Sequence, residues 1–265
     1  MRITGHLEKM VTELKDVVQY QLPLDNQLVP MNPLIGQAIQ LTFEKQIHCV
    51  VCGKLTSKSF GQGFCFSCFS TAPQAEECVL HPEKCRAHLG VARNLEYAET
   101  HCLIDHFVYL AVSSGLKVGV TRHSQIPTRW IDQGAVQAIK LARVPNRHLA
   151  GLIEVFLLKY YSDKTNWQQM LKNEHPESID LLNEKQAATM HLNATLKRFV
   201  SDDDSITRIQ YPVLRYPASA VTLNLDNTGV VSGTLMGIKG QYILFDNDTV
   251  LNIRRFSGYL VTLEY

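Results

Sequence analysis

Seven cysteines, all between Cys49 and Cys102, constrain this 265-residue chain more than any other feature. Two pairs lead, Cys49-Val50-Val51-Cys52 and Cys65-Phe66-Ser67-Cys68, separated by twelve residues. A Cys-x-x-Cys pair puts two thiolates on one tight turn. Two such turns can close a tetrahedral four-sulfur site, for which zinc is the default ion. Gly53, Gly61 and Gly63 stand where those turns need a permissive backbone. A redox dithiol needs only one pair at a strand-to-helix turn, so a zinc ribbon accounts better for the pattern. Cys78, Cys85 and Cys102 remain, with His81, His88, His101 and His106 close by in sequence. A second tetrahedral site is available, and the preferred set is Cys78, Cys85, Cys102 and His106; the alternative is packed thiols beside surface histidines. Neither set shows an obvious vacancy for substrate, and a closed thiolate-rich zinc stabilises a small domain rather than catalysing.

Composition bounds the rest. Apolar residues make up 45% and charged residues 19%, which excludes a disordered chain or a coiled coil. The net charge of +1 predicts no general affinity for polyanions, but residues 104–170 hold eight Lys/Arg against four Asp/Glu. An anion-binding surface is therefore expected mid-chain. The N-terminal Met1-Arg2-Ile3-Thr4-Gly5-His6 lacks the apolar core of a signal peptide, and no run reaches the roughly 20 apolar residues of a membrane helix. A soluble, cytoplasmic protein is expected, in a compartment where thiols serve metals or chemistry rather than disulfides.

The patterning predicts an α+β protein. Alternating segments at Asp16–Leu22 and Gly36–Phe43 read as half-buried strands within an N-terminal β segment, residues 1–47, which could pack on a C-terminal sheet. Residues 48–103 form the Cys-rich module. Strands are expected at Phe107–Val112, Lys117–Thr121 and Ala138–Val144, then a helix over His148–Tyr161 and further helical pattern to Val200. Short strands separated by Gly and Asn turns in 205–265 predict a small β barrel or rolled sheet.

Val108-Tyr109 on one strand and Lys117-Val118-Gly119-Val120-Thr121 on the next resemble the paired strands of the GIY-YIG nuclease superfamily. Arg129, a further strand, Glu154 on a helix and a later Asn166 follow in the same order. More closely, the chain resembles an uncharacterised bacterial family that joins a Cys-rich zinc ribbon to a GIY-YIG-like domain. That likeness runs through Pro82-Glu83-x-Cys85, Gly115 to Arg122, Arg129 to Ala135, Asp163 to Trp167 and Gly237 to Tyr242. The nuclease resemblance implies a ββαβα domain over 104–200. It implies that Tyr109 helps activate a water, Arg129 binds the scissile phosphate, Glu154 holds Mg2+ or Mn2+ and Asn166 braces the site. Two departures stand out: Phe107 replaces the Gly of the first element, and Lys117 replaces the Tyr of the second. Lys117 could supply the missing phosphate contact.

Independent chemistry points the same way, since phosphodiester hydrolysis needs charge neutralised and a water activated. A guanidinium fits phosphate with two prongs, and a carboxylate suits a hard cation. Glu154 is the most telling residue, because a carboxylate on the apolar face of its helix costs several kcal/mol unless paired or metal-bound. Its bland alternative is an ion pair with Arg129 or Arg122. Arg122, His123, Arg143 and Arg147 are candidate nucleic-acid contacts or, equally, a solvated rim. Asn166 could instead cap a turn, and Trp130 and Trp167 read as core or lid. Two functions follow: a metal-dependent nuclease with structural zinc, or a non-catalytic adaptor that grips nucleic acid while its C-terminal β domain recruits another protein.

Overall fold

The computed structural model describes all 265 residues. In chain order it begins with β1 (Arg2–His6), β2 (Val11–Glu13), β3 (Gln19–Leu24), β4 (Gln27–Pro30), β5 (Ala38–His48), β6 (Leu55–Thr56) and α1 (Phe66–Thr71). The middle holds α2 (Leu95–His101), β7 (His106–Val112), β8 (Leu116–Arg122), α3 (Thr128–Asp132), β9 (Gln137–Val144), α4 (Arg147–Leu157) and α5 (Trp167–Leu171). Next come α6 (Leu181–His191), α7 (Ala194–Lys197), β10 (Ile206–Arg208), β11 (Val221–Thr222) and α8 (Leu225–Thr228). The chain closes with β12 (Val230–Lys239), β13 (Tyr242–Phe245), β14 (Thr249–Asn252) and β15 (Tyr259–Glu264). Several sheets and short helices make this a mixed α+β protein. No helix is long and apolar enough to cross a membrane.

Contacts divide the chain into two compact units. The first comprises Met1–Ser70, Leu171–Asn173 and Ile209–Tyr265. Its main sheet runs β1-β15-β5-β12-β13-β14-β11, with β6 beside β5. In β5 the side chains of Ile39, Leu41 and Phe43 point inward while the residues between them do not, the period-2 pattern that the sequence carries. The end strands β1 and β11 do not pair with each other, so the sheet is open and no barrel closes. Strand β11 stops after Thr222, and the Asn224 side chain accepts from the backbone N–H of Asp226 and caps α8. Lys239 is wholly buried in this unit and donates to Asn173 Oδ1 at 2.7 Å.

The second unit comprises Thr71–Met170 and Glu174–Arg208. Its antiparallel sheet runs β10-β9-β7-β8, with Tyr109 opposite Gly119 across β7 and β8. Val108, Leu110, Ile139 and Leu141 form a core with Ala150, Ile153 and Leu157 of α4 and Leu181 and Ala188 of α6. The start of α4 is fixed by Asn146, whose side chain accepts from Leu149 N at 3.0 Å. The Cys-rich stretch 48–103 is shared between the units, with Cys49 to Cys68 in the first and Cys78 to Cys102 in the second.

Candidate functional site

Cys49, Cys52, Cys65 and Cys68 bring four sulfurs within 4.8 Å of one another. The Cys52 and Cys65 sulfurs are 3.9 Å apart, close to the edge of about 3.8 Å that a tetrahedron with metal–sulfur bonds of about 2.3 Å requires. Backbone turns hold them there: Gly53 N donates to Cys49 O and Val50 N to Gly63 O, both at 2.9 Å. Burial opposes ionisation of the Cys49 thiol. The backbone N–H groups of Cys52, Cys65 and Val51 overcome it and bring the thiol down to about 6, as a metal ligand needs. The arrangement fits a single tetrahedral ion such as zinc.

Cys78, Cys85 and Cys102 form a second, fully buried group, again within 4.8 Å. The expected fourth ligand, His106, does not join them. Its Nδ1 donates to Ile104 O at 2.8 Å, and its Nε2 is buried without a partner. Sequence adjacency to Cys102 was misleading here, since His106 opens β7 and follows the pleat of that strand. Arg147 is likewise not on a solvated rim. It is buried, donates from Nη1 to Cys78 Sγ at 3.3 Å and from Nη2 to His101 O at 3.1 Å, and so serves the thiolates. No sequence period could show this, because Arg147 lies sixty-nine residues from Cys78.

The remaining predicted residues gather on and around the second unit's sheet. Tyr109 is wholly buried on β7, and its ring lies over Gly119, where a Cβ would come within 2.6 Å of the phenol oxygen. The Gln133 amide joins phenol to guanidinium: its nitrogen donates to Tyr109 Oη at 2.8 Å, and its oxygen accepts from Arg129 Nε at 3.0 Å and Nη2 at 2.9 Å. Burial pushes the phenol's ionisation upward, against the pull of Arg129, so Tyr109 stays neutral. Lys117, on β8, is held at about 8 chiefly by burial and also by Arg129, while Asp163 and Glu154 act in the opposite sense. Its ammonium donates to Thr165 Oγ1 at 3.4 Å. Glu154 is half-buried on α4 and pushed up to about 7 by burial and by Asp163, with Lys117 and Arg129 opposing. The carboxylate takes no hydrogen bond and forms no ion pair with Arg129 or Arg122. Gln133 and Asp163 belong to this cluster and were not singled out from the sequence. The only signal for them was their place inside the two motif segments Arg129 to Ala135 and Asp163 to Trp167.

The Asn166 side-chain oxygen accepts from Gln168 N at 3.2 Å and Gln169 N at 3.3 Å, the capping role, while its N–H donates to Ser114 Oγ. Arg143 is exposed and bonded to Asp105, with Nε to Oδ2 at 2.7 Å. His123 is exposed, and half-buried Arg122 lies near Tyr97 and Cys102.

A family model described as "Protein of unknown function (DUF2797)" matches residues 36–261. The chain belongs to this family. Its matched span takes in both cysteine groups and every residue of the Tyr109–Glu154 cluster. No curated protein and no solved structure matches the chain. What the DUF2797 chain offers chemically is therefore read from its own side chains: two thiolate groups suited to soft ions, and one half-buried cluster with a neutral phenol, a guanidinium, an amine and an unpartnered carboxylate.

Proposed function

We propose that this DUF2797 chain is a metal-dependent phosphodiesterase of the GIY-YIG type that acts on nucleic acid, with thiolate-held zinc supporting a ribbon in the first unit. The observation that carries the reading is the Glu154 carboxylate, kept half-buried beside Lys117 and Arg129 yet without any protein hydrogen bond. A buried carboxylate that costs stability and pairs with nothing is a candidate ligand for a divalent ion. The element order β7-β8-α3-β9-α4 also matches the ββαβα order expected of that superfamily. In this scheme Glu154 would hold Mg2+ or Mn2+, which would neutralise phosphate charge and polarise a water. Arg129, its fork aimed by Gln133, would bind the scissile phosphate. Lys117 would add a second positive contact when protonated. Tyr109, neutral and buried, would act as a hydrogen-bonding positioner of Arg129 through Gln133 rather than as a base.

One feature favours a non-catalytic nucleic-acid adaptor: complete burial of Tyr109 removes the phenol from direct contact with water. The two readings separate in one experiment. The wild-type protein, Glu154→Ala and Arg129→Ala are compared on single-stranded, duplex and branched DNA and on RNA, with Mg2+ or Mn2+. The nuclease reading expects cleavage by the wild type and a loss of 100-fold or more in each variant, in line with removal of a charge-stabilising group. Binding without cleavage by the wild type would leave the adaptor.

A further inference from the structure

We infer that Cys78, Cys85 and Cys102 hold one thiophilic ion, such as zinc, whose fourth coordination position the protein leaves to an exchangeable ligand: water or a small Lewis base. The mutual closeness of the three sulfurs, within 4.8 Å, is the span of a single ion. No histidine nitrogen or carboxylate oxygen of the chain joins them. The histidines near in sequence keep their nitrogens out of the sulfur group. His106 is tied through Nδ1 to Ile104 O, its Nε2 buried and unpartnered, and His101 Nδ1 lies 3.0 Å from Tyr97 O. His81 faces Glu83 at 3.5 Å, and His88 stacks on His148 with ring centroids 4.4 Å apart.

Charge supports the same conclusion. Three thiolates and a divalent ion sum to one negative charge, and the buried Arg147 guanidinium, 3.3 Å from Cys78 Sγ, offsets it. A fourth thiolate would upset that balance; a neutral donor would not. Space is present as well. A cavity of about 530 Å³ has Cys78 and Cys85 in its wall, together with Glu83, His88 and His148. The four-sulfur group of the first unit is saturated by contrast. Three protein ligands beside a cavity are the pattern of a zinc that binds or activates small molecules, whereas four are the pattern of a structural one. This inference does not depend on the nuclease reading, which concerns a different cluster.

The test is cadmium-113 NMR on the full chain loaded with cadmium, with histidines labelled with nitrogen-15, before and during a titration with imidazole. Two cadmium lines are expected, neither coupled to a protein histidine. One line should stay fixed, and the other should move saturably as imidazole binds. Two stationary lines, two moving lines, coupling to a protein histidine before imidazole is added, or only one bound cadmium per chain would each overturn the inference.

Discussion

Holding the Glu154 carboxylate half-buried and unpartnered works against folding. Burial, then Asp163, raises its ionisation from 4.5 to about 7. An acid shifted upward binds more protons in the folded chain than in the unfolded one between those two values, so stability falls as pH rises through that window. Above pH 7 the penalty is full. Glu154→Gln keeps the shape and removes the charge, and it is expected to raise stability at pH 8 by at most about 3 kcal/mol. The gain should vanish near pH 4.5, as denaturant midpoints at the two pH values would show. A loss of stability at pH 8 would mean that the carboxylate has a partner after all. Lys117 titrates the other way. Burial first, then Arg129, brings it down to about 8, so its positive charge is present below that pH and fades above it. Nucleic-acid binding or cleavage should therefore decline above about pH 8, and Lys117→Arg should abolish the decline, since a guanidinium keeps its charge. A pH series from 6 to 10 on both proteins reads this directly.

Among the elements, α4 has the most demanding contact. A Cβ on Gly151 would run into the backbone of Pro82 and Glu83, so the helix meets the turn Pro82–Lys84 with no side chain between them. Gly151→Ala is expected to destabilise the second unit by about 1–3 kcal/mol, the usual range for overpacking, and to weaken metal retention at Cys85. Denaturant unfolding with metal analysis checks both. At the other cysteine group, Cys65→Ser leaves three sulfurs and should open the turns between Cys49 and Cys68 to protease while sparing the second unit's core. Limited proteolysis with and without chelator measures that. These elements also show what the sequence could reveal. The strand β5 was legible because alternate residues along its first half are buried, whereas β7, β8 and β9 were legible as short β-branched and apolar runs bounded by turn residues, with both faces largely buried. The paired Cys-x-x-Cys turns were legible because their geometry is local. Arg147 and Gly151 were not, since what fixes each is a neighbour far along the chain or a backbone approach that no period records, and His106 is held instead by the carbonyl of Ile104, two residues before it. Asn166 was ambiguous for a different reason: capping and catalysis use the same amide.

For the whole molecule, the chain order of the units has a folding consequence. Residues 71–208 carry all of the second unit, whereas the main sheet of the first needs β5 from one end of the chain and β12 and β15 from the other. A fragment of residues 71–208 is expected to unfold cooperatively by itself and to bind one metal equivalent. Residues 1–70 alone should lack a cooperative transition, because β5 has lost β12 and β15 and keeps only the two-residue β6. Thermal melts followed by circular dichroism, with metal stoichiometry, decide this. Within the second unit, α4 is anchored twice to the thiolate group. Arg147 at its start holds Cys78 through its side chain and Cys102 O through its N–H at 2.8 Å, and Gly151 rests on the turn leading to Cys85. An ion that gathered the three sulfurs would therefore pull on the same helix that carries Glu154.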